Sequence, residues 1–490
     1  MEKYIYRKEA LPKPVLDSHP EWIDLYYRAW ELAFQNVEYI QQEGWKPQMT
    51  CMPGVNTIWQ WDSCLMVFIT NYANGTITAL NNLDNLYRLR RESDGYMSMA
   101  YRISTELPAW PGRINPPLMA WAEWGAYLIS GNKERLIQVL PALEGNYQFI
   151  ENNRRRVSGL YWFEDPGSSG MDNAPRGPYA CPELDGSGIC HVDLGCQQSL
   201  SAKCMAQMFE VLGQPEKAAF YRCENQRIND LINRYHWSEK SGFYFDFFGR
   251  SDPKTKVKYI NSKTAAAFWT ILCGAATGRK LERVLEHLYH PEEFYGKVPF
   301  ATLSADDPNY DPNGGYWLGG VWAPTNFAAI RGIWESGRSA LAREAAVRYL
   351  DAVCAVARDP VYGNTIWECY SPTEHRPATA EAGELVRADF VGWSGLAPVT
   401  MLIENILGLH FDAKKNSVTF EIFPNQLGGL ENMQFNGGMV SIVCKEYVPA
   451  GGKSVVEVTA EKEFKLVVKT NYRWEDFSVQ VPAGTHTFYV

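Results

Sequence analysis

The stretch NKERLIQVLPALEGNYQFI, residues 132–150, decides how most of this chain is interpreted. Its apolar residues recur every three or four positions, at Leu136, Val139, Leu140, Leu143, Tyr147 and Ile150. Because an α-helix has about 3.6 residues per turn, this spacing places all of them on one face. Asn132 stands just before the first turn, where a side-chain oxygen favours a helix N-terminus. The stretch therefore predicts an amphipathic helix with one buried face.

The same period recurs up to about residue 408, for example in GRSALAREAAVRYLDAV (337–353), and predicts about a dozen helices. Further helices are predicted at 21–43, 60–73, 75–91, 116–130, 192–213, 214–236, 260–274, 277–288, 322–336 and 394–407. Short turns alternate between them with long loops rich in Gly, Pro and Trp. Paired helices with one rim of turns and one of long loops predict an (α/α)6 barrel, a toroid of six helical hairpins. Because long loops in a compact domain are usually functional, we expect the site on the long-loop rim.

After Leu409 the apolar period changes to two. The segments SVTFEIF (417–423), SVVEVTA (454–460), FKLVVKT (464–470) and FSVQVPAG (477–484) alternate and are separated by turn residues. Strands of this length predict a small C-terminal antiparallel β-sandwich. We therefore predict a catalytic barrel over residues 1–408 and an accessory sandwich with a structural role over residues 409–490.

Composition narrows the class of ligand. The formal charge is −9 and no basic run follows a phosphate backbone, so we expect no nucleic acid partner. The 17 Trp and 27 Tyr exceed the needs of a core, and many stand beside Gly, Pro or Asp rather than in helical stripes. Flat aromatic faces with a polar edge suit sugar rings, so a carbohydrate is the favoured small-molecule partner.

Cysteine usage and the N-terminus predict a cytoplasmic protein. The chain has 11 cysteines, an odd number without paired spacing, which favours reduced thiols. The opening MEKYIYRKEALPKP lacks the apolar core of a signal peptide, and no run reaches the roughly 18 apolar residues of a membrane span. Cys181, Cys190, His191 and Cys196 are too irregularly spaced for zinc, so we expect neither a metal nor a cofactor.

Acidic and aromatic residues cluster in five long-loop stretches. They are IWQWDSC (58–64), RINPPLMAW (113–121), SSGMDNAPRG (168–177), GGYWLGGVWAPTNF (314–327), and IWECYSP (366–372) with FVGWSGLAP (390–398) behind it. Glycoside hydrolysis needs such acids, since one protonates the leaving oxygen and another acts on the opposite face of the sugar. On the residues alone Asp172, Glu164 and Asp165 are equal candidates for the acid. Glu384 and Asp389, before FVGWSG, compete for the second role.

Five short motifs within these stretches carry a resemblance to known proteins. In chain order over residues 58–398 they are WQWD, GMDNAPR, YWxGxVWxPxN, WExYxP and FxGWSGLxP. Together they resemble the inverting (α/α)6 glycosidases, the clan that includes family 63 α-glucosidases, family 37 trehalases, and bacterial mannosylglycerate and glucosylglycerate hydrolases. Two departures stand out. Relatives often have Trp-Glu-Ser-Gly before the acid where this chain has Gly167-Ser168-Ser169-Gly170, and often Gln where it has Asn115.

The resemblance implies a role for individual residues. Asp172 matches the general acid, and Glu368 matches the general base that activates water. The matched substrate-binding residues are Trp59, Trp61 and Asp62 on one wall, Tyr316, Trp317 and Trp322 on a second, and Trp393 near the base. Asn115, Gly170, Arg176 and His191 complete the predicted binding set. Of these, Arg176 is expected to buttress the acid loop, and His191 to order the neighbouring loop beside the aglycone.

We therefore predict an inverting, exo-type α-glycosidase that hydrolyses a small α-linked sugar, with glucose as the first choice for the non-reducing unit. Three alternatives stay open. They are an α-L-rhamnosidase-like hydrolase, a phosphorolytic barrel that needs one carboxylate and a phosphate site, and a non-catalytic sugar-binding protein on a glycosidase scaffold.

Overall fold

The structure is a computed structural model that describes residues 3–177, 188–248, 259–424, 427–448, 452–470 and 476–490. The α-helices in these ranges are α1 (Pro20–Gln35), α2 (Gln60–Thr70), α3 (Leu80–Leu89), α4 (Met119–Ser130), α5 (Lys133–Asn153), α6 (Val192–Val211), α7 (Pro215–Tyr235), α8 (Trp269–Leu272), α9 (Gly278–Leu288), α10 (Ala323–Glu335), α11 (Ser339–Ala357) and α12 (Val391–Ser394). A π-helix, Leu396–Ile406, follows α12 directly, and a 3₁₀ turn, Ala265–Phe268, precedes α8.

The amphipathic stretch 132–150 forms α5 and its N-cap. The side chain of Asn132 accepts a hydrogen bond from the backbone N–H of Arg135 at 3.0 Å, so it caps the helix as predicted. Leu136, Val139, Leu140, Leu143, Tyr147 and Ile150 are all buried. No helix within the described ranges is both long and apolar enough to cross a membrane.

The first predicted helix is too long. α1 ends at Gln35, and Val37–Glu38 forms a short strand that pairs with Gln48–Met49. Asn36 ends the helix, since its side-chain amide turns away to donate to the backbone oxygen of Asp389 at 2.9 Å. An asparagine that bonds elsewhere is a common helix terminator, and apolar spacing alone does not detect it.

Six helices form a closed ring. α2 contacts α4, α4 contacts α6, α6 contacts α8, α8 contacts α10, α10 contacts the π-helix, and the π-helix contacts α2. The helices α1, α5, α7 and α11 each contact members of this ring from outside. Most of the helical core therefore lies between an inner and an outer set of helices.

Two of the ring helices, α2 and α10, have the same orientation relative to the predicted site. Trp61 and Asp62 stand in the first turn of α2, and Tyr72 follows its last turn. Likewise Trp322 precedes α10, and Trp334 lies near its end. The N-termini of these two helices thus meet the long loops, while residues at their C-terminal ends contact the strand β10, through Tyr72 on Phe411 and Trp334 on His410.

The strands of the described residues are β1 (Lys13–Val15), β2 (Val37–Glu38), β3 (Gln48–Met49), β4 (Thr57–Trp59), β5 (Ala100–Arg102), β6 (Ile189–Cys190), β7 (Trp237–Ser238), β8 (Phe243–Tyr244), β9 (Phe247–Phe248), β10 (Leu409–Asp412), β11 (Ser417–Ile422), β12 (Gly428–Phe435), β13 (Gly438–Glu446), β14 (Val455–Ala460), β15 (Phe464–Thr470), β16 (Phe477–Val481) and β17 (Gly484–Tyr489). Two sheets dominate, with the orders β1-β12-β13-β14-β17 and β10-β11-β15-β16. Phe435 of the first sheet packs on Phe411 and Phe464 of the second. The C-terminal residues therefore form two packed sheets.

Two features of these sheets correct the prediction of a purely antiparallel, purely C-terminal sandwich. β11 and β15 pair in parallel, from Ser417 beside Lys465 to Ile422 beside Thr470. The chain builds β12, β13 and β14 in the other sheet before it returns, which makes a parallel pair possible. Alternating side chains look alike in both directions, so the period could not reveal this. The N-terminal strand β1 also pairs with β12, so the first residues belong to the sheets rather than to the helices alone.

Candidate active site

The loop that carries Asp172 is set by a glycine. A 3₁₀ turn, Gly167–Ser169, leads into Gly170, whose φ is 78°. A Cβ on Gly170 would stand 2.7 Å from Cζ2 of Trp61. A residue with a Cβ would be strained at this φ and would clash with the Trp61 ring. Glycine avoids both problems, so the loop can lie directly against that ring. The predicted contribution of Gly170 is therefore geometric.

Asp172 is exposed to solvent and has other carboxylates near it. Crowding by protein raises the pKa of Asp172 to about 7, and the carboxylates of Glu381, Asp62 and Glu368 raise it further. A carboxyl group with such a pKa keeps its proton near neutral pH, which general acid catalysis requires. Glu381 was not among the residues predicted from the sequence.

Asn173, the next residue, ties the acid loop to the loop that carries Tyr316. Its Oδ1 accepts from the backbone N–H of Trp317 at 2.9 Å, and its Nδ2 donates to the backbone oxygen of Gly315 at 2.9 Å. Tyr316 itself has a φ of 65°, which is unusual for a residue with a side chain. The two hydrogen bonds hold the acid loop and the strained turn in one rigid unit.

Glu368 is buried and held from several sides. The hydroxyl of Tyr316 donates to Oε1 at 3.2 Å, and the backbone N–H of Arg387 donates to Oε2 at 3.3 Å. The indole N–H of Trp393 and the hydroxyl of Ser394 both donate to the backbone oxygen of Glu368, at 3.2 and 3.1 Å. The GWSG motif therefore positions the main chain of Glu368.

The two carboxylates have opposed surroundings. Burial raises the pKa of Glu368, but the hydrogen bonds from Arg387 and Tyr316 and the charge of Arg387 act in the opposite direction. Around Asp172 the nearby charges are carboxylates, which favour its protonated form. The pKa values of both groups are raised, but hydrogen bonds and a cation oppose the rise at Glu368, whereas the charges around Asp172 add to it. Opposed environments of this kind can divide acid and base roles.

Aromatic rings line the site in two layers. Trp61 lies 6.2 Å from Trp317 and 5.6 Å from Trp393, measured between ring centroids. In the second layer the ring of Trp322 stacks on that of Trp317, with 4.1 Å between the centroids and 9° between the planes. The indole N–H of Trp322 donates to the backbone oxygen of Tyr316. Trp322 and Trp317 are both almost fully buried, so they form the inner layer of the wall, and the contact with substrate expected for them stays a prediction.

Trp59, a further predicted substrate-binding residue, is partly exposed. Its ring packs 5.2 Å from that of Trp110, a residue that no motif pointed to. The indole Nε1 of Trp59 is buried and has no hydrogen-bond partner among the described residues. A buried donor without a partner is costly unless a ligand or solvent accepts from it.

Asp62 is buried beside Cys51. The thiol of Cys51 donates to Oδ1 of Asp62 at 3.0 Å, and burial raises the pKa of Asp62 to about 7. Cys51 in turn lies against Gly392, where a Cβ would come within 2.3 Å of the cysteine Cβ. Cys51 is thus a positioning residue for Asp62 that the sequence motifs did not reveal.

Asn115 links the start of α2 to the acid loop. Its Oδ1 accepts from the backbone N–H of Trp61 at 3.3 Å, and its Nδ2 donates to the backbone oxygen of Ser168 at 3.2 Å. The residue is buried, so its observed contacts are with the protein. This favours a positioning role over the predicted sugar contact.

Arg176 buttresses the acid loop, and the structure gives it no donor for a substrate. Its guanidinium bonds Asp193 at 2.6 and 2.7 Å, Asp246 at 2.8 and 2.9 Å, and the hydroxyl of Ser169 at 3.1 Å. These five hydrogen bonds use all five N–H groups of a buried side chain. These contacts favour the buttress role expected for Arg176 over a contact with substrate.

His191 also supports the loop from within. Its Nδ1 accepts from the backbone N–H of Phe163 at 3.0 Å, and burial lowers the pKa of His191 to about 3, so the ring is neutral. Cys181, part of the cluster considered for zinc, lies outside the described residues. The described residues contain no group of three or more His, Cys, Asp or Glu side chains that could hold a metal ion.

The competing carboxylates are engaged elsewhere. Arg154 forms an ion pair with Glu164, and Arg113 pairs with Asp165 at 2.7 Å. Asp165 also accepts from the backbone N–H of Ser168 at 2.8 Å, which shapes the 3₁₀ turn before the acid. These contacts give both residues structural tasks and leave Asp172 as the better-placed proton donor of the three.

Known proteins resemble this chain over most of its length. Residues 55–384 match the model of the mannosylglycerate hydrolase MGH1-like glycoside hydrolase domain. An uncharacterized protein of Borreliella burgdorferi is 26% identical over 93% of this chain and 93% of its own. The mannosyl-oligosaccharide glucosidase of Saccharomyces cerevisiae is 24% identical over 64% of this chain, which corresponds to 39% of that protein.

A solved structure supports the same relationship at the level of the fold. The family 63 mannosylglycerate hydrolase from Thermus thermophilus, in complex with glucose, superposes with a TM-score of 0.60 and 19% identity over 77% of this chain and all of that one. The family model spans the loops of Trp59, Asp172, Tyr316 and Glu368. On that match, this chain is a glycoside hydrolase and belongs to the family defined by the mannosylglycerate hydrolase MGH1-like glycoside hydrolase domain.

Proposed function

We propose that the protein is an inverting, exo-acting α-glycosidase in which Asp172 is the general acid and Glu368 the general base. The observation that carries this proposal is the contrast between the two carboxyl groups. Asp172 stands among carboxylates that favour its proton, whereas Glu368 accepts hydrogen bonds from Tyr316 and Arg387. An inverting glycosidase needs one protonated and one ionised carboxyl group at the same time.

The proposed reaction is a single displacement. Asp172 gives its proton to the glycosidic oxygen while the bond between that oxygen and the anomeric carbon breaks. Glu368 takes a proton from a water molecule whose oxygen bonds to the anomeric carbon from the opposite face. The hydroxyl of Tyr316 and the backbone N–H of Arg387 hold the Glu368 carboxylate for this step. The acid and base exchange protonation states in each turnover and reset through solvent.

We assign the helical part to an (α/α)6 barrel with the site at the N-terminal end of its inner helices. Two observations support this assignment. The contacts of α2, α4, α6, α8, α10 and the π-helix form a closed ring. The superposition with the mannosylglycerate hydrolase covers 77% of the chain. Loops from separate helical pairs can then present Asp172 and Glu368 to the two faces of one sugar.

An α-linked glucose is the proposed non-reducing unit. The names of two related proteins, a glucosidase and a hydrolase solved with glucose, favour it over other hexoses. Trp61 and Trp393, backed by the buried Trp317, offer the flat apolar surface that a pyranose ring stacks on. An exo mode fits a site enclosed by these rings on one side.

The leaving group is proposed to be uncharged. The side of the site next to Asp172 carries Glu381, whose charge acts on Asp172 more strongly than that of any other carboxylate. A glycerate or other carboxylate leaving group would add a further negative charge there, and like charges repel. A neutral sugar is therefore favoured over an anionic aglycone such as the one that a mannosylglycerate hydrolase releases.

Proton NMR of the first product tests the mechanism. The enzyme is given α-linked glucose disaccharides and aryl α-glucosides, and the anomeric signals are followed before mutarotation. We expect β-glucose first, with the anionic glucosylglycerate hydrolysed more slowly than the neutral disaccharides. Initial release of α-glucose would overturn the single-displacement mechanism.

The same assay separates the rival functions. Preference for aryl α-rhamnoside over aryl α-glucoside would point to a rhamnosidase. Phosphate-dependent turnover that survives Glu368→Ala would point to phosphorolysis. Ligand binding without turnover of any glycoside, and with unchanged affinity in Asp172→Asn, would indicate a sugar-binding protein.

A further inference from the structure

A second cavity lies at the end of the inner helices that is remote from Asp172. Its volume is about 510 Å³, and its walls come from the ends of α2, α4 and α10, from the π-helix, and from β10, β11 and β15. A volume in this range is typical of small-molecule sites, which measure about 300–1,000 Å³. α2 has 11 residues, so at about 1.5 Å per residue it separates this cavity from the Trp61 end by about 15 Å.

The floor of the cavity holds a buried polar network. Arg331 donates from Nη2 to Oε1 of Glu404 at 2.7 Å, and the hydroxyl of Tyr72 donates to the same oxygen at 2.7 Å. The Nε–H of Arg331 is buried and has no hydrogen-bond partner in the part of the chain that the structure describes. The network therefore leaves one donor unused in a wall of the cavity.

His410 provides a matching acceptor. Its ring stacks on that of Trp334, with 3.7 Å between the centroids and 15° between the planes. The ring also forms a hydrogen bond with the backbone of Glu404. Burial holds the pKa of His410 well below its usual value, so the ring is neutral. Its Nε2 is buried and lacks a hydrogen-bond partner among the described residues. Because the ring bonds a backbone acceptor through its other nitrogen, Nε2 presents a lone pair.

The charges that line the cavity balance. They are Arg331, Lys415 and Lys465 against Glu335, Glu404 and Asp412. Each acid also has a cation beside it: Arg331 bonds Glu404, Lys415 pairs with Asp412 at 3.0 Å, and Lys203 pairs with Glu335 at 2.8 Å. Because each acid of the lining is already paired with a cation, a charged ligand would have to compete with these ion pairs, whereas a neutral ligand would not.

A hydroxyl group suits either of the two unused atoms. It accepts from an N–H such as that of Arg331 and donates to a lone pair such as that of His410 Nε2. Phe68, Trp334 and Phe411 contribute apolar surface to the same cavity, which suits the C–H groups of a polyhydroxylated ligand. We propose that this cavity is a second binding site, separate from the catalytic one, for a neutral polyol such as a monosaccharide.

Equilibrium dialysis of the full chain with radiolabelled D-glucose tests the proposal. We expect two glucose molecules per wild-type chain at saturation. Val467→Trp, on β15 in the cavity wall, should fill the cavity and reduce the number to one. Trp61→Ala should remove the catalytic-site glucose and leave the other. Val479→Trp is the matched control, because Val479 is a partly buried valine on the neighbouring strand outside the cavity lining, and it should keep both sites.

His410→Phe keeps the ring on Trp334 and removes the Nε2 acceptor, so it should weaken the second site at least tenfold without changing the fold. Unlabelled glycerol should displace the glucose that remains in Trp61→Ala, while inorganic phosphate should not. The proposal is overturned if Val467→Trp and wild type bind the same number of glucose molecules, or if phosphate displaces the ligand and glycerol does not. Wild type could instead bind one glucose, which is lost in Val467→Trp and kept in Trp61→Ala. That result would support this cavity and count against glucose binding at the catalytic site. The two proposals can therefore fail separately.

Discussion

The side chain of Asn173 pairs with the backbone of Trp317. Its Oδ1 accepts from the Trp317 N–H at 2.9 Å, while its Nδ2 donates to Gly315 at 2.9 Å. Between these two backbone groups lies Tyr316, whose hydroxyl bonds Glu368 at 3.2 Å. One asparagine therefore connects the residue next to the proposed acid with the residue that holds the proposed base. The distance between the two carboxyl groups depends on this connection.

Asn173→Ala should reduce kcat because it frees the acid loop from the Tyr316 turn. A displacement of about 1 Å at a reacting group can cost about 10²-fold in rate, and we expect a loss of that order. KM should change less, since the aromatic walls stay in place. Asn153→Ala is the control, because Asn153 bonds only the end of its own helix, at Phe149. Steady-state kinetics of both variants would count against the connection if kcat fell equally in the two.

Asp172→Asn should remove the proton donor while it keeps the shape of the loop. General acid catalysis contributes about 10²–10⁴-fold, so kcat on an unactivated disaccharide should fall by that factor. The loss should be much smaller with α-glucosyl fluoride, whose leaving group needs little protonation. Asp165→Asn is the matched control, since Asp165 pairs with Arg113 and stands on the same loop. An equal loss on both substrates would show that Asp172 does not act as the acid.

The pH profile should report the carboxylates around Asp172. The acid must be protonated, so kcat/KM should fall as the pH rises through the pKa of Asp172, which stands at about 7. Glu381→Gln removes a negative charge that favours the protonated form, so the pKa should drop and the alkaline limb should move to lower pH. Glu384→Gln changes a carboxylate in the same hairpin and should move the limb less. A limb that moves to higher pH in Glu381→Gln would contradict the proposed acid.

The sequence was sufficient for features that repeat or that are local. The spacing in residues 132–150 predicted α5 and its cap at Asn132, because helix period and capping depend on neighbours in the chain. The five motifs, through the resemblance they carry, predicted the family, and the family match agrees with that prediction. The motifs did not predict the near-complete burial of Trp317 and Trp322.

Features that depend on contacts between distant segments could not be predicted. Cys51, which bonds Asp62, packs closely against Gly392, far along the chain. Glu381 influences Asp172 through a hairpin that no periodicity marks. The parallel pairing of β11 with β15 depends on which sheet the intervening strands join. In each case the sequence contains the residues, while their proximity arises from tertiary structure.

Arg176→Lys should destabilise the protein more than it changes the chemistry. Arg176 is buried and bonds both Asp193 and Asp246, and a lysine cannot replace its five donors. Breaking a buried ion pair costs about 3–5 kcal/mol, so urea unfolding should shift by that order. Arg113→Lys, at a pair that is partly exposed, should cost no more than about 1 kcal/mol. Unchanged stability with a raised KM would instead indicate that Arg176 contacts the substrate.

Gly170→Ala adds a single carbon atom and should still disturb the catalytic site. The added methyl group would stand 2.7 Å from Cζ2 of Trp61, and the φ of 78° is unfavourable for any residue with a Cβ. The loop must therefore move away from Trp61 and carry Asp172 with it. We expect a cost of about 1–3 kcal/mol in the free energy of unfolding, as for other strained backbone positions, together with a loss of kcat.

Gly177→Ala is the matched control, at the other end of the same loop. Among the described residues, a Cβ there would meet Cγ of Pro166 at 3.8 Å, which is an ordinary contact. Chemical denaturation and kinetics on the two variants should therefore diverge, with Gly177→Ala close to wild type. If Gly170→Ala kept full kcat, the position of the acid would not depend on the contact between the loop and Trp61, and the geometric role given to Gly170 would be wrong.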